Sequence, residues 1–156
     1  MNTMNPTIET QEAQLYETCK ETALRILNSG RRVEAVALYF LPDGEMALTP
    51  LPMTGPSAQM CRDTTRALLA IMAETLPCFC TVTECWMAKY DGTDAPPSER
   101  TDRTEAILVQ CFTNGKRTCH ALMTFSRKDG PVTHGDWQET RPSYELVKGA
   151  GSVFPA

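Results

Sequence analysis

Apolar residues recur at three- and four-residue steps in two stretches of this chain, and at two-residue or continuous spacing between and after them. From Ile8 to Asn28, Leu15, Cys19, Thr22, Ala23 and Ile26 share one helical face. Glu12, Glu17, Lys20 and Arg25 fall off it. Asn28-Ser29-Gly30 supplies the stop, with glycine available for a left-handed cap. A second helix opens at Thr54-Gly55-Pro56, with Pro56 near the first helical position, and ends at Pro77. Its apolar stripe is expected to be Met60, Thr64, Ala67, Leu68, Ile71, Met72 and Thr75.

The remaining pattern predicts strands. Val33 to Leu41 and Glu45 to Leu51 flank the turn Pro42-Asp43-Gly44 and read as an antiparallel pair. Pro50 and Pro52 mark the second of them as an edge or an end. Cys78 to Tyr90 is apolar in both alternating rows, as expected of a central strand, and Glu84 is the anomaly in the more apolar row. Asp91 to Asp102 is a long polar loop. Thr104 to Phe112 and Lys116 to Arg127 are joined by Asn114-Gly115, the strongest short hairpin signal in the chain. Residues 1–6 read as a loose tail. Residues 7–156 read as one domain whose C-terminal part, from about Asp129, is an irregular wrap with one short strand near Thr133 to Glu139.

The predicted order is α-β-β-α-β-β-β, which implies an α+β fold: a mostly antiparallel five-stranded sheet with two helices packed on it. The order resembles that of profilin-like and roadblock-like domains. That resemblance implies architecture alone, because such folds host unrelated functions.

Composition narrows the class. At 156 residues a single chain buries enough surface for a core without a structural metal. A net charge of −4 argues against a surface devoted to nucleic acid. No run reaches the roughly 20 apolar residues of a membrane helix. The start, MNTMNPTIETQEAQ, lacks the basic and apolar segments of a signal peptide, so the expected location is the cytoplasm. The seven cysteines are scattered, without CxxC or zinc-type spacing, and are read as free thiols packed as small hydrophobes. No cofactor or metal is expected.

One segment carries a resemblance. TVTECWMAKY followed by PPSERTDRTEAILVQC is similar to a pattern in a family of small bacterial and phage proteins. Those proteins read roughly "SEAW" and then "PSEHPDREEAL". The matching residues are Glu84, Trp86, Pro97, Ser98, Glu99, Arg100, Asp102, Arg103, Glu105 and Ala106. The similarity spans Thr81 to His120 and departs at Arg100-Thr101, where the relatives more often read His-Pro. It implies no reaction, but it directs attention to the loop.

The candidate chemistry follows from that loop and its flanking strands. If the strands are neighbours, Glu84, Arg103, Glu105 and His120 converge. A carboxylate beside a histidine can act as a general acid–base pair, and an arginine can clamp an anion. Those four are the site of the alternative reading, a small hydrolase or transferase. The bland reading is an ion-pair network in which Glu84 pins an arginine of the loop. The preferred reading is a non-enzymatic protein that binds another protein through Ser98, Glu99, Arg100, Asp102 and Arg103, with Trp137 as an exposed anchor and Trp86 and Phe112 in the core. Exposed sheet edges add a homodimer to the expected partners. Weaker constellations are Ser98 with His120 and Asp102, Cys85 or Cys119 with His120, and His134-Gly135-Asp136. The first lacks a nucleophile elbow, Cys119 points away from its neighbour His120, and the third offers too few ligands.

Overall fold

The computed structural model describes residues 7–52, 57–88, 101, 103–127 and 130–140. The expected tail at 1–6, the site positions Ser98, Glu99, Arg100 and Asp102, and the wrap beyond residue 140 lie outside the described residues.

Helix α1 (Ile8–Asn28) starts where the Thr7 hydroxyl accepts the Thr10 N–H, a side-chain cap on a free backbone donor. It ends at Ser29 and Gly30, where φ is +82°. Helix α2 (Ala58–Thr75) is capped the same way by Ser57, whose hydroxyl accepts the Met60 N–H. Strands β1 (Val36–Phe40) and β2 (Met46–Pro50) form the first hairpin. Strands β3 (Cys78–Met87), β4 (Thr104–Thr113) and β5 (Lys116–Ser126) form the long centre of the sheet. The short strands β6 (Thr133–His134) and β7 (Gln138–Thr140) both pair with β5. The order across the sheet is β2-β1-β3-β4-β5-β6, and every pairing is antiparallel. The α+β class is as expected. Among the described residues the sheet holds seven strands rather than five, because the 133–140 segment adds two short strands, β6 and β7, along β5.

The helices cover opposite faces. On one face Leu15, Cys19, Ala23 and Leu27 of α1 pack against Cys80, Val82, Ile107, Val109, Ala121 and Met123. On the other, Leu69 and Met72 of α2 pack against Ala37 and Phe79, and Phe79 stacks on Phe112 with ring centres 4.8 Å apart. The expected stripe of α2 is rotated from the buried one. Thr65, Leu69 and Met72 are buried, whereas Met60 and Ile71 are 54% and 59% exposed. The helix carries two apolar rows, and the sheet selects the one beside Leu69. β7 is held to α1 by Glu139, which pairs with Lys20 and accepts a 3.1 Å hydrogen bond from the Tyr16 hydroxyl. The hydrogen bond from Lys20 pulls the Glu139 carboxyl below its ordinary range; burial opposes it, and the Tyr16 hydroxyl adds to the lowering.

Two features of the long strands position the site. The Asn114-Gly115 turn has φ of 52° and 77°, the two left-handed residues that a tight hairpin needs. Three residues after Gly115 the register slips. Phe112 pairs with Arg117, but Cys111 pairs with Cys119, so Thr118 is the extra residue of a β-bulge. From Cys119 onward, every β5 side chain therefore lies on the face opposite to the one an unbulged hairpin would give it.

Candidate functional site

Glu84 lies on the α1 face of β3, two residues beyond Val82 and opposite Ile107. Its side chain is 13% exposed and its carboxylate is engaged by several donors. Oε1 accepts 2.7 Å from the Val33 N–H and 2.6 Å from Nη2 of Arg127. Oε2 accepts 3.3 Å from Nη1 of Arg127 and lies 3.8 Å from Nε of the exposed Arg32. The Arg127 guanidinium also donates to the Arg31 carbonyl at 3.2 Å, sits 3.7 Å from Glu105 and lies 4.7 Å from the ring centre of Phe125. The fork of Arg127 thus matches the carboxylate on both oxygens. The result ties the connection after α1, Arg31 to Val33, to the open end of the sheet.

This corrects the expected partner. Glu84 pairs with Arg127, which directly follows β5, rather than with Arg103. Arg103 instead lies over the Trp86 ring, 4.0 Å from its centre. Period-two alternation along β5 puts Arg127 in the same row as Met123 and Phe125, facing α1. That row was the signal that could have identified it. Glu84 and Glu105 do come together around Arg127, through Trp86↔Glu105↔Phe125 in the register.

His120 does not join them. In an unbulged Asn-Gly hairpin it would pair with Val109 and share the face of Glu84. The Thr118 bulge pairs it with Gln110, on the α2 side of the sheet. There its pKa is pushed below the ordinary 6.5 by burial and by the charge of Arg117. Its Nδ1 and the Nε2 of Gln110 are both buried without a hydrogen-bond partner. The sheet thus separates the only described histidine of the expected acid–base pair from both carboxylates. Neither Cys85 nor Cys119 becomes an activated thiol beside it. Burial first, then the charge of Glu84, pushes the Cys85 thiol up to about 11. Cys119 faces α1, away from His120, and its Sγ lies 3.7 Å from Glu12.

The two tryptophans exchange their expected places. Trp137 packs, partly buried, against the α1-side core. Trp86 is 40% exposed at the rim beside Glu105 and Arg103. Its row is apolar only as far as Val82, and at the level of Glu84 the contact is already from Val33, beyond the end of α1. His134 is exposed and its Nδ1 lies 2.8 Å from the Gly135 carbonyl. Among the described residues, no group of three or more His, Cys, Asp or Glu is placed to hold a metal ion.

The cysteines require a further correction. Cys80 and Cys111 are cross-strand partners in the β3–β4 register and are joined by a disulfide. The other five are thiols, of which Cys19, Cys78 and Cys119 are buried. Spacing along the chain could not show the pair, because it arises from the β3–β4 register across a separation of 31 residues.

No protein-family model, no curated protein and no solved structure matches this chain.

Proposed function

We propose that this is a non-enzymatic interaction or regulatory protein of a bacterium or phage that acts by binding another protein. The observation that carries the reading is the exposed Trp86 ring with the Arg103 guanidinium on its face. A flat aromatic stacked by arginine gives a large apolar contact with polar edges, and these two residue types dominate binding hot spots. The rim around them is fixed, because Glu84 and Arg127 lock the neighbouring chain segments together. An acid–base role for Glu84 is disfavoured by the same contacts. Its carboxylate already accepts from Val33 and Arg127, and His120 is across the sheet.

The test is capture of partners from the native host, or its prey, by the wild-type chain and by Trp86→Ala and Arg103→Ala. Both variants alter the rim, so the fold should survive and the partner should be lost.

A homodimer is the second reading. Among the described residues the edge strand β2 has a partner on one side only, and Met46 and Leu48 are 40% and 57% exposed there. Antiparallel pairing of two β2 strands about a twofold axis would continue the sheet through both copies. Light scattering after size exclusion would then give twice the monomer mass, and Leu48→Lys would halve it. A monomeric wild type at high concentration contradicts this reading. A cytoplasmic location is retained as part of the proposal. In that compartment the Cys80–Cys111 bond is of the transient or sensing kind, since stable structural disulfides belong to oxidising compartments.

A further inference from the structure

Five of the seven cysteines gather on the α1 side of the sheet: Cys19, Cys78, Cys80, Cys111 and Cys119. Three of them form a single transverse row. Cys80 on β3 faces Cys111 on β4, and Cys111 faces Cys119 on β5. The row exists because of the bulge. Without Thr118, Cys119 would pair with Gln110 and lie on the other face of the sheet. Directly opposed residues on one face have Cβ atoms about 4.5–5.5 Å apart, the separation from which a disulfide closes with a small adjustment. Cys111 is therefore paired across the strands with two cysteines, one bonded to it and one a thiol.

The thiol has a base beside it. The half-buried Glu12 of α1 points its carboxylate at the hairpin end of the row. Oε1 lies 3.7 Å from the Cys119 Sγ, and Oε2 accepts 2.8 Å from the Thr113 hydroxyl. We propose that Cys111 is the shared partner of two alternative disulfides, and that the bond moves between Cys80–Cys111 and Cys111–Cys119 by internal thiol–disulfide exchange.

The step balances without an oxidant or reductant. The Cys119 S–H proton passes to the Glu12 carboxylate, and the Cys119 thiolate attacks the Cys111 sulfur. The Cys111–Cys119 bond forms and the Cys80–Cys111 bond breaks. Cys80 leaves as a thiolate and takes up a proton, while Glu12 returns its own to solvent. In-line attack through a mixed trisulfur arrangement is the ordinary course of such exchange. The two forms differ in what they tie. Cys80–Cys111 clamps β3 to β4 across a separation of 31 residues and so closes the whole β3–β4 connection into a loop. Cys111–Cys119 closes only the final hairpin and releases that connection. The constraint on the chain that leads to Trp86 and Arg103 thus depends on which bond is present.

The experiment uses the full wild-type chain. The protein is held at neutral pH, acid-quenched, alkylated and digested with trypsin, which separates Cys111 from Cys119 by cutting at Lys116 and Arg117. Fragmentation then identifies the linked sulfurs. The expected result is two linked species, Cys80–Cys111 and Cys111–Cys119, with five alkylated cysteines per chain in either form. Cys80→Ser, oxidised with glutathione disulfide, should place the bond on Cys111–Cys119. Glu12→Gln should slow the approach to the two-species mixture about tenfold without changing its final ratio. Wild-type protein with Cys80–Cys111 alone at all times, or with seven alkylated cysteines, overturns the proposal. Should Cys80→Ser fail to fold, the wild-type mapping decides alone.

Discussion

Glu84 and Arg127 show how a single charged residue in a strand is accommodated. A carboxylate at 13% exposure is costly unless its oxygens are met, and here the Val33 N–H and the guanidinium fork meet them. Removing one partner leaves the other half-buried and unmatched. Glu84→Ala and Arg127→Ala should each cost about 2 kcal/mol in a denaturant titration, and the double variant less than the sum. Full additivity would show that the pair is not coupled. His120 supplies a pH test. Burial, with the Arg117 charge, holds its folded pKa below the ordinary 6.5, so the unfolded chain takes up the proton first. Stability from this group is complete above that value and is lost as pH falls towards the folded pKa. The imidazole resonance should titrate below 6.5, and His120→Gln should flatten the acid limb of stability; titration at or above 6.5 contradicts the placement. At this scale the sequence marked Glu84 as anomalous and indicated an ion pair. Alternation along β5 assigns Arg127 its face, but only the strand register brings it to Glu84, so spacing between the two residues does not disclose the pair.

The elements were more legible than their faces. α1 is predicted over the residues it occupies, since its cap, periodicity and glycine stop agree. The three long strands lie where alternation and the Asn114-Gly115 turn put them. α2 is rotated from its expected stripe, because two apolar rows compete and only the sheet decides between them. The bulge at Thr118 was not legible at all. No glycine or proline marks it, yet it decides which face His120 and Cys119 occupy. The turn itself can be tested. Gly115 holds φ of +77°, and a Cβ there would stand 3.7 Å from the Ala73 carbonyl, an ordinary contact. The penalty of Gly115→Ala is therefore conformational, about 1 kcal/mol in the same titration. A neutral outcome would mean that the turn tolerates a side chain in the left-handed region.

Over the whole molecule, polar residues that sequence alone would assemble into one site are divided by the sheet. The α1 side holds the Glu84–Arg127 lock and the cysteine row. The α2 side holds His120 and Gln110. What remains outward at the locked end is an aromatic–arginine surface, Trp86 and Arg103, and that surface is the basis for reading the protein as a binder. The loop positions Ser98 to Arg100 belong to the same expectation through their place in the chain between Trp86 and Arg103.

The most direct measurement is quantitative affinity capture from the native host, comparing wild type with Trp86→Ala at equal loading and with matched circular dichroism. The expected result is a reproducible partner with wild type and a loss of roughly tenfold or more with Trp86→Ala. A partner retained in full by Trp86→Ala, or no partner with wild type, would contradict it.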